Sequence, residues 1–475
     1  MSRRNKFDIQ LNRREFLKTS AGGLGSLMLG GLLANPALAA ESGGPEHTLV
    51  YLFLEGGMDA LSVLAPKAKY LNQENESVVN PERSVYDKAR TMLDNGIPAH
   101  RLLDLPGRFG LHPDATGLHN LFKRGQLSFI MGAGCDHPST SHFYKMDNIA
   151  AGKGPESSHA FGGFLARALN GMPAVQTDGS FDAISLSRKL HKSLLGSQAA
   201  VAFPNLSVSN LGYSPDGLHS GRALADRLDD MFLKNLHRPQ SVDHQLAKIA
   251  NILKKSVNSL ADESKNYPKD NPGTSVDEGQ KLSDHKERYK AIPALGDVVR
   301  LLEFGVRVPV MTLTIGGWDT HTKQGTLTED GAFRKKLKSL SDSLDVFVRD
   351  LERKELLRRT TIVVMSEFGR RLEANATGGT DHGHGGLIMV LGDKSKLQNS
   401  KEGAGMVLAP STLLRNLDDN GNLKVTYDWR NIMGEILKEQ FKVSNLTEDV
   451  PVPKSNSEIA AVFKGLSYVS CRILG

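Results

Sequence analysis

The sequence predicts an α/β fold with a mostly parallel central sheet flanked by helices. Two observations carry that prediction. Five apolar runs are continuous rather than alternating, as strands covered on both faces must be, and an amphipathic helix lies between two of them. A third observation bears on function. Acids and histidines gather just past these runs, where ligands collect in open α/β sheets.

Taken in order, the first segment is a processing signal and not part of the fold. "NRREFLK" (12–18) sets two adjacent arginines before Phe16 and Leu17. The glycine-rich apolar run after it ends in Ala37-Leu38-Ala39, a small-x-small cleavage pattern. This resembles a twin-arginine (Tat) export signal, with residues 1–39 removed and the folded chain delivered to the periplasm or the exterior. A membrane anchor fits less well, because glycine and proline interrupt the run and a spanning helix needs about 20 apolar residues. No later segment is long and apolar enough to span a bilayer, so no membrane span is expected in the mature chain. The route carries proteins already folded, often around a cofactor, and its machinery is the expected partner during export. With only Cys135 and Cys471 in the chain, a disulfide framework is excluded and a single bridge is left open.

Residues 40–475 read as one α/β domain with insertions, since about 435 residues are enough for a large core. The formal charge of +6 is modest and lies partly in the signal, at Arg3, Arg4, Lys6, Arg13, Arg14 and Lys18. No basic stripe interleaved with aromatics follows, so no nucleic-acid partner is expected.

The predicted strands are 47–54, 127–133, 308–315, 360–366 and 387–392, each expected to run parallel to the others. Between the third and fourth, Leu337, Leu340, Leu344, Phe347, Val348 and Leu351 recur at three- and four-residue steps, the pattern of a helix with one apolar face. Strand, helix, strand in that order predicts a right-handed βαβ unit. Segments 68–108 and 188–235 read as insertions. Residues 240–290 are polar and broken by Pro268, Pro272 and Gly273, which predicts a loop or small cap.

The first run ends in "LEGGMDAL", with Glu55 and Asp59 past the strand and Gly56-Gly57 free to turn sharply. Asp59 fits either a helix N-cap or a ligand. The second ends in "GCDHPSTSHFYKMD", where Ser139, Thr140 or Ser141 opens a helix as a capping hydroxyl or as a nucleophile. The third ends in "GGWDTHTKQ". Asp319 and His321, two apart, share one side of an extended chain. The fourth ends in "SEFGRR", with Glu367 just past the apolar core, and "GGTDHGHGG" then brings Asp381, His382 and His384 before the fifth strand. Carboxylates and imidazoles together suit divalent zinc, manganese or iron, and helix caps alone do not explain clusters at four strand ends.

"GGWDTH", "SEFGR" and "TDHGHG", with "SHF" after a strand and "YDWRNIMGEIL" near the end, resemble the DUF1501 family over about residues 47–445. That family is grouped with the alkaline-phosphatase-like superfamily of alkaline phosphatases, sulfatases and cofactor-independent phosphoglycerate mutases. The resemblance implies two metal ions at the strand ends, with Asp59, Asp319, His321, Glu367, Asp381, His382 and His384 as ligands. It implies Ser141 as nucleophile, Arg370 or Arg371 as a clamp on an anionic ester, and hydrolysis of a phosphate or sulfate ester. The sequence departs from the phosphatase pattern at Phe368, where a histidine would follow the acid, and Asp381-His382 is the expected substitute. It also departs from the sulfatase pattern, since Cys135 stands three positions before Pro138 with no matching arginine. The altered ligand set keeps a second reading open, a metal-stabilised binding or scaffold protein at the cell surface that turns nothing over.

Overall fold

A computed structural model describes residues 47–72, 74–90, 96–153, 162–172, 182–197, 200–202, 204, 287–303, 308–399, 403–447, 461–463 and 466–474. The predicted signal (1–39), residues 205–235 of one predicted insertion, and 240–286 of the predicted cap lie outside the described residues.

The strands that build the central sheet are β1 (Thr48–Leu54), β2 (Leu127–Gly134), β3 (Ala183–Ser185), β4 (Ala200–Ala202), β5 (Val310–Ile315) and β6 (Thr360–Ser366). A hairpin of β7 (Arg370–Ala374) and β8 (Thr380–His382) stands beside the sheet, which continues with β9 (Gly386–Leu391), β10 (Val407–Leu408) and β11 (Tyr427–Asp428). The order is β10-β2-β9-β6-β1-β5-β3-β4, with β11 also pairing β2.

All of these strands run parallel to β1 except β9, which pairs antiparallel with both β6 and β2. The expectation that 387–392 is parallel is therefore corrected. An apolar run carries no direction; the connection sets it. Returning a chain to the start of a parallel neighbour takes a crossover, usually a helix. The residues between β6 and β9 are spent on the β7–β8 hairpin, so β9 starts at the edge where β6 ended. That reversal pins both ends of the histidine loop at the carboxyl edge of the parallel strands.

Both faces of the sheet are buried, which is why the strand runs read as continuously apolar. Val50, Leu52 and Leu54 of β1 join Met311, Leu313, Ile362 and Val364 in one core; Leu49, Tyr51 and Phe53 join Val363 and Met365 in the other. The first core is covered by the helix Ala332–Arg353, in which all six residues of the predicted apolar stripe are buried. The second is covered by the helix Trp429–Phe441, through Trp429, Ile432, Met433 and Ile436. Burying each such large apolar side chain stabilises the fold by about 1.5–3 kcal/mol.

Three shorter helices position the site. They are α1 (Ala60–Val63), directly after β1, α2 (Pro81–Arg90) and α3 (His142–Ala150) after β2. Segment 68–108 is not peripheral, since α2 delivers Arg90 into the protein interior, where its side chain is wholly buried. Among the described residues no helix is long and apolar enough to cross a membrane. Cys135 and Cys471 are both free thiols.

Candidate metal centre

The turn after β1 is the first part of the site. Gly56 takes φ +120°, and a Cβ there would stand 2.3 Å from the Asp319 backbone nitrogen. Only glycine lets the turns after β1 and β5 touch. The same residue donates its N–H to Glu367 Oε1 at 2.9 Å, so the loops after β1, β5 and β6 meet at one point. Gly56→Ala is expected to cost about 1–3 kcal/mol in backbone strain alone, with the clash added. Chemical denaturation of the purified variant measures it.

Four side chains converge above this turn. Asp319 Oδ1 lies 3.3 Å from His142 Nε2, 3.1 Å from His321 Nε2 and 3.4 Å from His382 Nε2. His321 Nε2 and His382 Nε2 are 2.8 Å apart. The ligand-atom spacing expected in a tetrahedral zinc site with arms of about 2.0–2.1 Å is about 3.3 Å, which these distances approach.

What lies behind each ring fixes which nitrogen faces the centre. His142 Nδ1 donates to Glu367 Oε1 (2.5 Å), His321 Nδ1 to Asp381 Oδ1 (2.9 Å) and His382 Nδ1 to the Thr140 carbonyl (2.7 Å). A carbonyl or an ionised carboxylate only accepts, so each neutral ring carries its proton on Nδ1 and aims a lone pair from Nε2 at the centre. Two lone pairs at 2.8 Å repel unless a cation stands between them or one ring takes an extra proton. The Nε2 of His142 is buried with no hydrogen-bond partner. The imidazole, carboxylate and carbonyl partners form the pattern that orients histidines around a metal. The ligand atoms of His142, His382 and Asp319 all lie within 4.8 Å of one another, with His321 Nε2 beside them, and imidazole nitrogens with a carboxylate oxygen suit a divalent zinc, manganese or iron ion.

Burial would raise the Asp319 carboxyl, but the Arg370 hydrogen bond and charge outweigh it and hold the group at about 2. Glu367 is also held below the usual carboxylate range. Burial opposes this, and the His142 hydrogen bond and those from Ser366 and Gly56 prevail. His142 is raised, first by its hydrogen bond to Glu367. His382 is lowered by burial and then by the neighbouring charges of His142 and Arg370.

The predicted ligands sort into three groups. Asp319, His321 and His382 reach the centre. Glu367 and Asp381 stand one layer back, each spending an oxygen on an imidazole N–H. Asp59 and His384 do not join them. Asp59 caps α1 and is fully buried against Arg90, Ser62 and Gln324, so its oxygens are taken by donors. His384 turns its Nδ1 to Asp418 Oδ2 at 2.7 Å. It diverges from His382 because β8 ends there and Gly383 hydrogen-bonds to Gly369, so the period-two rule for strands no longer holds.

Arg370 is also reassigned. It is 1% exposed and donates to the carbonyls of Gly57, Thr380 and Gly56 and to Asp319 Oδ1. It ties the loops together and steadies Asp319, and it is not free to clamp a substrate. Ser141, exposed, is the N-cap residue of α3, and its hydroxyl caps nothing. Ser139 Oγ accepts from the Ser141 N–H, and Thr140 supplies the carbonyl to His382.

His142 was not among the predicted ligands. It brings an imidazole to the place where Phe368 offers none; the Phe368 ring packs 4.7 Å from His142 and 4.8 Å from His382, whose rings are themselves 4.2 Å apart. The available signal was its place in "SHF" at a strand end, one residue after the predicted nucleophile. Glu367→Gln keeps the volume but weakens the hold on His142. Metal affinity is expected to fall about 10–100-fold in chelator competition.

An α/β protein with three imidazoles and a carboxylate gathered at the carboxyl ends of parallel strands is the class that fold and site define. The chain belongs to the DUF1501 family, described as a protein of unknown function, which matches residues 46–396. No curated protein matches it. Among solved structures, that of Ps i-CgsB in complex with k-i-k-neocarrahexaose is similar at 12% identity and a TM-score of 0.29, over 80% of this chain and 75% of that one. The alkaline phosphatase from the Antarctic bacterium TAB5 is similar at 10% identity and 0.26, over 77% and 95%. PsFucS1 sulfatase from Pseudoalteromonas sp. is similar at 10% identity and 0.26, over 79% and 67%.

Proposed function

We propose that the protein is a metal-dependent hydrolase of phosphate or sulfate esters. The observation that carries the proposal is the shared orientation of three imidazole rings. Three rings each spend Nδ1 on an acceptor and turn Nε2 toward Asp319 Oδ1. A divalent ion bound there would supply Lewis-acid stabilisation of charge on the ester oxygens. Asp319 and His321 are each roughly half exposed, at 46% and 40% of the side chain, which leaves the centre open to an anionic ester.

Ser141 has the role of nucleophile in this reading. Its hydroxyl precedes His142 and is not spent on the helix, while the first N–H groups of α3 lack a side-chain cap and can hold an oxyanion. Ser141 Oγ bonds to phosphorus or sulfur as the bond to the alcohol oxygen breaks. Water then cleaves the seryl ester, releasing phosphate or sulfate and restoring the hydroxyl. The proposal extends to location, with the folded chain exported by the Tat route to the periplasm or beyond.

Turnover of aryl phosphate, phosphodiester and aryl sulfate by the metal-loaded mature protein tests the reading. Ser141→Ala is expected to lower kcat at least about 100-fold with metal content unchanged. A metal-loaded, folded protein that hydrolyses none of the three esters would favour the scaffold reading instead. Cell fractionation of the wild type and an Arg13→Lys, Arg14→Lys variant tests the location.

A further inference from the structure

We infer that this centre takes one metal ion per chain, and that buried arginines supply the positive charge a second ion would bring. The inference rests on the reading of the site as a metal centre and concerns how many ions its residues can hold.

The count begins with free lone pairs. Among the described residues one group of histidines and acids has ligand atoms close enough to share an ion, His142, Asp319 and His382, and His321 Nε2 adjoins it. A second ion would need a second set, and among the described residues no second group of three histidine, cysteine or acid ligand atoms lies close enough together to share one. Asp59 receives five donors: Arg90 Nη1 (2.7 Å), Ser62 Oγ (2.6 Å) and Gln324 Nε2 (2.8 Å) on Oδ2, with Arg90 Nη2 and the Leu61 N–H (both 3.2 Å) on Oδ1. A carboxylate offers about four lone-pair directions, so none is left for an ion. Glu367 accepts from the Gly56 N–H, His142 Nδ1 and Ser366 Oγ. His384 has its Nδ1 on Asp418, and its Nε2, though buried without a hydrogen-bond partner, belongs to no group of ligand atoms close enough to share an ion.

The arginines explain how the fold tolerates this. Arg90 and Arg370 are both buried, and each forms an ion pair with an acid that the family resemblance assigns to a metal, Asp59 and Asp319. Arg90 grips Asp59 with two nitrogens, the bidentate geometry that only a guanidinium offers among side chains. Arg370 Nη2 sits 2.5 Å from the same Asp319 oxygen that faces the three imidazoles. A guanidinium keeps its charge at any working pH, so a second dication at Asp59 would meet the fixed charge of Arg90 at close range in a wholly buried position.

The test is stoichiometry. The mature protein is saturated with Zn²⁺ or, separately, Mn²⁺, washed with a weak chelator, and counted by elemental analysis and native mass spectrometry. One ion per wild-type chain is expected, one in His384→Gln, and none in His142→Ala. Two ions per wild-type chain, or loss of the ion in His384→Gln, would overturn the one-ion inference. No ion with either metal would overturn the metal-centre reading itself, a different outcome from two.

Discussion

His142→Ala is expected to strip the protein of metal and to abolish ester hydrolysis while leaving the fold intact. Of the four side chains at the centre, His142 has the best-supported position. Its Nδ1 is 2.5 Å from a buried glutamate, its ring lies against Phe368, and its Nε2 is buried with no hydrogen-bond partner. Removing an orienting partner of a ligand already costs about 10–100-fold in metal affinity, and removing the ligand itself should cost more. The variant also leaves Glu367 without its strongest donor, although the Gly56 N–H and Ser366 Oγ remain. Far-UV circular dichroism should therefore match the wild type. Chelator competition should show affinity lost by more than 100-fold, and kcat should fall to the uncatalysed background. A variant that binds metal as tightly as the wild type would remove His142 from the centre.

The fold was legible where physics acts locally, and the site only in part. Continuous apolar runs marked the strands because both faces of the sheet are buried, and the stripe from Leu337 to Leu351 marked the covering helix. The direction of β9 was hidden, because it depends on what the chain does between strands. At the site, Asp319 and His321 were readable from their spacing. His142 was not, because it comes from a helix start far from the other ligands in sequence and reads as an ordinary helical residue. Arg370 misled for a related reason. An arginine after a strand end looks like an anion clamp, but here carbonyl oxygens and Asp319 consume its donors. Asp59 had two readings in the sequence, and the N-cap is the one its geometry adopts. The choice between them is made by Arg90, which arrives from α2 and leaves no mark near Asp59 in the chain.

That same pair carries the second large prediction. Asp59→Asn preserves volume and most of the cap, yet it leaves the Arg90 guanidinium wholly buried beside a neutral partner. A lysine or carboxyl in that position could shed its charge, but arginine cannot, so the desolvation cost stays in full. Breaking a buried pair in this way costs about 3–5 kcal/mol. The pH dependence follows from the direction of the Asp59 shift. Burial alone would raise this carboxyl, but the charge and hydrogen bonds of Arg90, with those of Ser62 and Gln324, hold it below its ordinary value. Its contribution is therefore complete above the unfolded aspartate range near about 3.9 and is lost as pH falls through the lower folded value. Urea denaturation at pH 7 should show the full gap between wild type and variant. The gap should persist through mild acid and close only as the wild-type carboxyl becomes protonated, because asparagine has no proton to gain. A gap below about 1 kcal/mol at pH 7 would mean that the pair does not hold α1 and α2 against the turn after β1. Replacing both residues, as Asp59→Leu with Arg90→Met, should recover much of the loss, since a well-packed apolar pair can match a buried ion pair. That recovery would separate the penalty of an orphaned charge from the worth of the pair itself.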